Sequence, residues 1–116
     1  MILANIIEKI DAIFHCGAFV NWVLSYQALR IPNFLGTVEI ANFATTNKLK
    51  PIHYVSTIGV ADLDEEKLIA SHFLPHLNNY SLSKYTAEKY LRSSGIPLAI
   101  YRPGMITGSS TTGKFL

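Results

Sequence analysis

Two tyrosine–lysine pairs stand in one short stretch, "YSLSKYTAEKY". Tyr80 and Lys84 form the first Y-x-x-x-K, Tyr85 and Lys89 the second. Residues four apart share a helix face, one turn from each other. A phenol, with a pKa near ~10, is by itself a poor proton donor or acceptor at neutral pH. A neighbouring ammonium favours the phenolate and lowers that value. Such a pair can deliver a proton to a carbonyl oxygen as hydride arrives at its carbon. The two pairs cannot serve one site. Tyr85 lies about 7 Å further along a helix and is turned roughly 140° from Tyr80. Tyr80 falls near the expected start of the helix, whereas Tyr85 and Lys89 read as packing and a solvated charge. A hydroxyl companion, Thr57, ends the run "YVST" and can share charge developing on a carbonyl oxygen with Tyr80. Ser56 and Thr57 also suit ordinary turn chemistry. The run "YRPGMITG" adds a rigid turn, Pro103–Gly104, where backbone can approach a flat ligand.

These groups need a scaffold that brings them to one rim. The 116 residues fit a single domain, and with 49% apolar residues a buried core is within reach. "DAIFHC", "PIHYVST" and "PLAIYR" are short β-branched and aromatic runs, expected as strands. "NIIEKI" places Ile6, Ile7 and Ile10 at helical spacing. "GAFVNWVLSYQALRIP" reads as irregular. "NFLGTVEIANFATTN" sets Phe34, Val38, Ala41 and Thr45 on one helical face, with Asn33 as its cap. Residues 61–77 read as a long loop with some helix. "NYSLSKYTAEKYLRSS" is a helix stopped by Gly95. The order α-β-α-β-α-β calls for parallel strands joined by right-handed crossovers. Ligands of such sheets bind beyond the carboxyl ends of the strands, here residues 15–18, 56–59 and 102–108.

Several function classes are disfavoured. The net charge is +2 with no basic cluster, so no nucleic-acid partner is expected. No run reaches the ~18 apolar residues that span a bilayer. Asn5, Glu8, Lys9 and Asp11 break the apolar start, unlike a signal peptide. A lone cysteine, Cys16, allows no internal disulfide and suits a reducing cytoplasm. It reads as a small buried residue with a cofactor-facing backbone. His72 and His76 are four apart, but Pro75 intervenes and no third ligand is evident, so no metal site is expected. Trp22 and Phe19 read as loop packing rather than an acyl pocket. The run from Gly108 to Lys114 spells G-x-x-x-x-G-K, yet Phe115 stands where a P-loop needs Ser or Thr for magnesium.

The combination of "FHCGAFVNW", "NFLGTVEIA", "YVSTIGV", "YSLSKYTAEKYL" and "IYRPGMITGSSTTGKF" resembles the extended short-chain dehydrogenase/reductases. Within them it is most similar to the thioester reductase domains that end some polyketide and nonribosomal peptide synthetases. Those domains are similar in turn to the reductase part of carboxylic acid reductases. The resemblance implies that Tyr80 is the catalytic acid and Lys84 its partner, which also holds the nicotinamide ribose. It implies that Thr57 polarises the substrate carbonyl. Gly17 and Ala18 match the segment that lies against the cofactor, and Arg102, Pro103 and Gly104 the turn near the nicotinamide. The implied reaction is NADPH-dependent reduction of a carrier- or CoA-bound acyl thioester to an aldehyde or onward to an alcohol.

The family's Gly-rich turn, G-x-x-G-x-x-G, does not occur in these residues. The resemblance would place it upstream of Met1, together with the basic residue that reads the 2′-phosphate, and a substrate lobe after Leu116. The expected fold class is therefore α/β: a partial NAD(P)-binding Rossmann domain, a doubly wound parallel sheet of about three strands with helices. It lacks the N-terminal Gly-rich βαβ half, and residues 1–116 form one partial domain. Such a segment is expected to be marginally stable alone and to bind NADPH weakly or not at all. Its "AIFHC" strand is an exposed edge, open to a complementing N-terminal half or to self-association. Two other readings are a non-catalytic remnant or interaction fragment, and another extended reductase acting on a nucleotide sugar or steroid.

Overall fold

The three β-branched runs form three parallel strands in the computed structural model, which describes residues 2–63, 79–104 and 110–111. They are β1 (Ile13–His15), β2 (Ile52–Val55) and β3 (Leu98–Tyr101), in the order β1-β2-β3. The register aligns Ile13 with Ile52 and Leu98, and His15 with Tyr54 and Ile100. Because side chains alternate along a strand, these six share one face. That face carries the core: Ile52 and Tyr54 are buried with Ala41, Ala44, Ala87, Leu91 and Ile96, and Ile13, Leu98 and Ile100 pack against them. The alanines let the helices sit close on the sheet. This is the expected partial α/β architecture.

The other face is different. Phe14 stacks on His53 at 4.3 Å between ring centroids, and His53 stacks on Tyr101 at 6.0 Å. His53 Nδ1 and the Tyr101 hydroxyl are 2.9 Å apart. Phe14 is nevertheless 69% exposed. Parallel sheets bury both faces as a rule. Among the described residues no comparable core forms on this face, and β1 is a sheet edge.

The helices follow the apolar spacing with one exception. Helix α1 (Ile2–Lys9) buries Ile7 and leaves Ile6 exposed. The stretch read as irregular turns helical at Tyr26. Ser25 caps it by accepting the Ala28 N–H at 3.3 Å. Helix α2 (Tyr26–Arg30) runs through a π-helical turn (Ile31–Leu35) into α3 (Gly36–Thr45). Pro32 explains the slip: it has no N–H for the α-helical ladder, and the Gly36 N–H reaches back five residues to the Ile31 carbonyl. Asn33 is thus not a cap; it lies inside the π turn with its side chain buried. At the far end of α3, the ammonium of fully buried Lys50 donates to the carbonyls of Phe43, Thr46 and Lys48. A cation there satisfies the orphan carbonyls and the helix dipole.

Beyond β2 the chain makes a 3₁₀ turn (Ile58–Asp62), and from residue 64 the expected long loop lies outside the described residues. Helix α4 (Asn79–Ser93) carries the tyrosine–lysine pairs. Gly95 ends it with φ +77°, a conformation that suits only glycine without strain. No described helix is long and apolar enough to cross a membrane.

Candidate active site

The first two turns of α4 present Tyr80 and Lys84, both buried. The Lys84 ammonium donates to the Val55 carbonyl at the end of β2 (2.9 Å) and lies 4.3 Å from the centre of the Tyr54 ring. One of its three N–H groups is thereby used. Burial pulls the Lys84 pKa down to about 8, while the nearby Glu88 and Cys16 work to raise it. The Tyr80 pKa is raised by burial of the phenol, not lowered as expected from the lysine. The lysine charge is directed at the Val55 carbonyl and the Tyr54 ring. A phenol in that setting keeps its proton at neutral pH, which suits a donor rather than a base.

Thr57 caps the 3₁₀ turn, its Oγ1 accepting the Gly59 N–H at 3.5 Å. That leaves its O–H to donate elsewhere. Gly59 sets the turn directly on α4: a Cβ there would lie 2.5 Å from Ser81 Oγ, one residue past Tyr80. The contact brings the β2 end carrying Thr57 against the helix turn carrying Tyr80. Trp22 meets the Tyr80 ring edge-on, with centroids 5.1 Å apart, yet is 66% exposed. Phe19 is exposed too, so neither is buried as loop packing. Tyr85 is half-buried and Lys89 exposed, as their place on the helix predicts.

The expected cofactor residues are spread along the same strand ends. Gly17 is exposed, with the His15 ring as the nearest neighbour to a would-be Cβ at 3.7 Å; Ala18 is half-buried. Gly104 has nothing within 4 Å of such a Cβ. The Pro103 carbonyl accepts the Ile58 N–H at 3.0 Å, joining the ends of β2 and β3. Arg102 does not point its guanidinium outward: Nε and a terminal nitrogen both donate to Glu88, the latter at 2.8 Å. Cys16 is exposed rather than buried, since it lies just past the end of β1. Gly108, Lys114 and Phe115 of the glycine-rich run lie outside the described residues, as do His72, Pro75 and His76. Among the described residues no group of side chains could hold a metal ion.

Two residues organise the site without having been singled out for it. Glu88, 1% exposed, accepts from Ser56 Oγ at 2.6 Å, from Arg102, and from Arg92 at 3.3 Å. Its sequence signal was its place one turn after Lys84. Asn33 accepts the Phe19 N–H at 2.7 Å and donates to the Phe19 carbonyl and to Ser83 Oγ. Ser83 in turn donates to the Tyr80 carbonyl at 2.7 Å. Asn33 thus ties the segment after β1 to the helix between Tyr80 and Lys84. Its carbonyl accepts from Thr37, whose hydroxyl is 3.0 Å from His15 Nε2. Burial, and then the Lys84 charge, lower the His15 pKa.

The buried lysine has a measurable consequence. Folded Lys84 loses its proton near pH 8, whereas an unfolded lysine holds it to 10.5. Between those values the unfolded state binds more protons, so stability rises with pH. The expected gain from pH 8 to 10 is roughly 2 kcal/mol, and it should vanish in Lys84→Met. Urea unfolding at stepped pH checks this; a flat or falling profile in the parent chain contradicts it. The raised Tyr80 pKa opposes the trend only above about pH 10.

Comparison with known proteins places this geometry in context. Residues 2–116 match the profile of a family described as male sterility protein, an NAD-binding domain. An aldehyde reductase, lnbA, of Aspergillus flavus is 39% identical over 89% of this chain, which spans 12% of that protein. A carboxylic acid reductase of Segniliparus rugosus is 36% identical over 85% of the chain, which spans 10% of it. The crystal structure of the terminal R domain from the myxalamid PKS-NRPS pathway superposes with a TM-score of 0.78 and 38% identity. There 93% of this chain covers 30% of that one.

Proposed function

The chain belongs to the male sterility protein family of NAD-binding domains, and from that membership we propose that it is the catalytic central segment of an NADPH-dependent thioester reductase. The substrate is an acyl thioester on a carrier protein or CoA, and the product an aldehyde, with onward reduction to the alcohol. The observation that carries this reading is the buried Tyr80–Lys84 pair on α4, with Thr57 held against the same helix turn by Gly59 and Ser81.

The residues fit the nicotinamide end of a dinucleotide. Lys84 retains two N–H groups beyond the one given to Val55, a match for the hydroxyl pair of a ribose. The backbone of Gly17, Ala18, Pro103 and Gly104 lies along the carboxyl ends of the strands, where such ligands sit in open α/β sheets. We assign Arg102 to this group through the turn it fixes, since its guanidinium is on Glu88. When bound, the cofactor supplies the hydride for the thioester carbonyl carbon. Tyr80 gives its phenolic proton to the carbonyl oxygen, and the Thr57 hydroxyl donates a hydrogen bond to the same oxygen. The resulting hemithioacetal releases the thiol and leaves the aldehyde.

The sequence holds no Gly-rich pyrophosphate turn, so the segment is expected to be inactive by itself. Among the described residues β1 is a sheet edge, and this with the exposed Phe14 supports a complementing N-terminal half, or self-association, as its partner. The reducing cytoplasm is its proposed compartment. The test is a complete homologous reductase carrying residues 1–116 in place of its own segment, assayed with NADPH on acyl-CoA and on nucleotide sugars. Turnover is expected on the thioester only; turnover confined to the sugar would sink the assignment.

A further inference from the structure

We propose that Glu88 is a positioning residue of this site: its buried carboxylate locks the carboxyl ends of β2 and β3 onto α4 and fixes Lys84 beside them. It accepts hydrogen bonds from Ser56, just past β2, and Arg102, just past β3; Arg92 adds a third donor from α4 itself. Ser56 precedes Thr57, and Arg102 precedes Pro103, so each anchored residue sits one position before a proposed site residue. A single carboxylate thus sets the spacing between the tyrosine–lysine helix and both strand ends. Lys84 lies one turn before it on the same helix face.

A neutral acceptor could serve as a plain staple, so the charge of Glu88 is the informative part. The groups facing this neighbourhood are Tyr80, Lys84 and Arg92 on α4, Arg102 after β3, Tyr54 on β2, and His15 and Cys16 at the end of β1. Three of them are cationic, against one buried carboxylate. Glu88 therefore keeps Lys84 an ammonium against the pull of burial. The inference rests on the proposed reductase reading only for the use made of Lys84; the lock is independent of it.

The experiment is an NMR titration of the Lys84 side chain in the full chain and in two variants, with thermal unfolding recorded on each. In Glu88→Gln, which keeps the shape and an acceptor, the Lys84 pKa should fall by roughly one unit, a tenfold change in its ionisation ratio. In Arg102→Gln, which removes a competing cation, it should rise. Lower melting temperatures with an unmoved Lys84 titration in both variants would overturn the proposal and leave Glu88 a staple. Should Glu88→Gln not fold, Arg102→Gln decides alone: a rise supports the proposal and no change overturns it. The titration needs neither substrate nor cofactor, so its failure is separable from failure of the thioester assay.

Discussion

Tyr80→Phe in a complete reductase carrying this segment should lower kcat by about 10³-fold or more, while Tyr85→Phe stays within about twofold. The substitution removes one oxygen and its proton and keeps the ring against Trp22. Binding of the thioester is thus little changed, and the loss falls on the step in which the carbonyl oxygen gains its proton. KM should move far less than kcat. Thr57 cannot replace the phenol: its hydroxyl accepts from Gly59 and can share charge, but an alcohol is a far weaker acid than a phenol. Tyr85 is the internal control, five residues on and on another face of α4. Equal losses in both variants, or a larger one in Tyr85→Phe, would contradict the assignment. Steady-state NADPH consumption on an acyl-CoA checks it.

Glu88→Ala should destabilise the chain by about 3–5 kcal/mol, the cost of breaking a buried ion pair by removing one partner. Ser56 would lose the acceptor of a 2.6 Å hydrogen bond, and Lys84 the anion that favours its charged form. Arg102 is about one-third exposed and can turn to water, which holds the figure toward the lower end. A domain has only ~5–15 kcal/mol in hand. The expected observation is an early, broadened urea transition by circular dichroism, with Glu88→Gln intermediate. A midpoint within about 1 kcal/mol of the parent chain would show that the cluster contributes little.

Much of this was legible in the residues. Short β-branched runs bounded by Gly and Pro located all three strands, and Gly95 marked the end of α4. The Y-x-x-x-K spacing and the hydroxyl after β2 gave the groups of the candidate site, because local periodicity fixes which side chains share a face. Four features were not legible. The stretch ending at Pro32 read as irregular, but α2 forms within it and the π turn absorbs the proline and carries the helix on to Thr45. Asn33 therefore read as a cap, when its partners are the Phe19 backbone and a serine on α4. Glu88 looked like an interior letter of the second Y-x-x-x-K. Its importance comes from Arg102, fourteen residues on, which only the sheet brings beside it. The sign of the Tyr80 shift depended on burial, which spacing does not report.

The most direct test of the central claim follows the hydride itself. A complete reductase carrying residues 1–116 is given an acyl thioester and NADPH deuterated at its transferable position, and the product is read by mass spectrometry. A single deuterium on the aldehyde carbon, with labelled product falling about 10³-fold in Tyr80→Phe and little changed in Tyr85→Phe, is the predicted result. Unlabelled product, or release of the free acid with NADPH unspent, would contradict it.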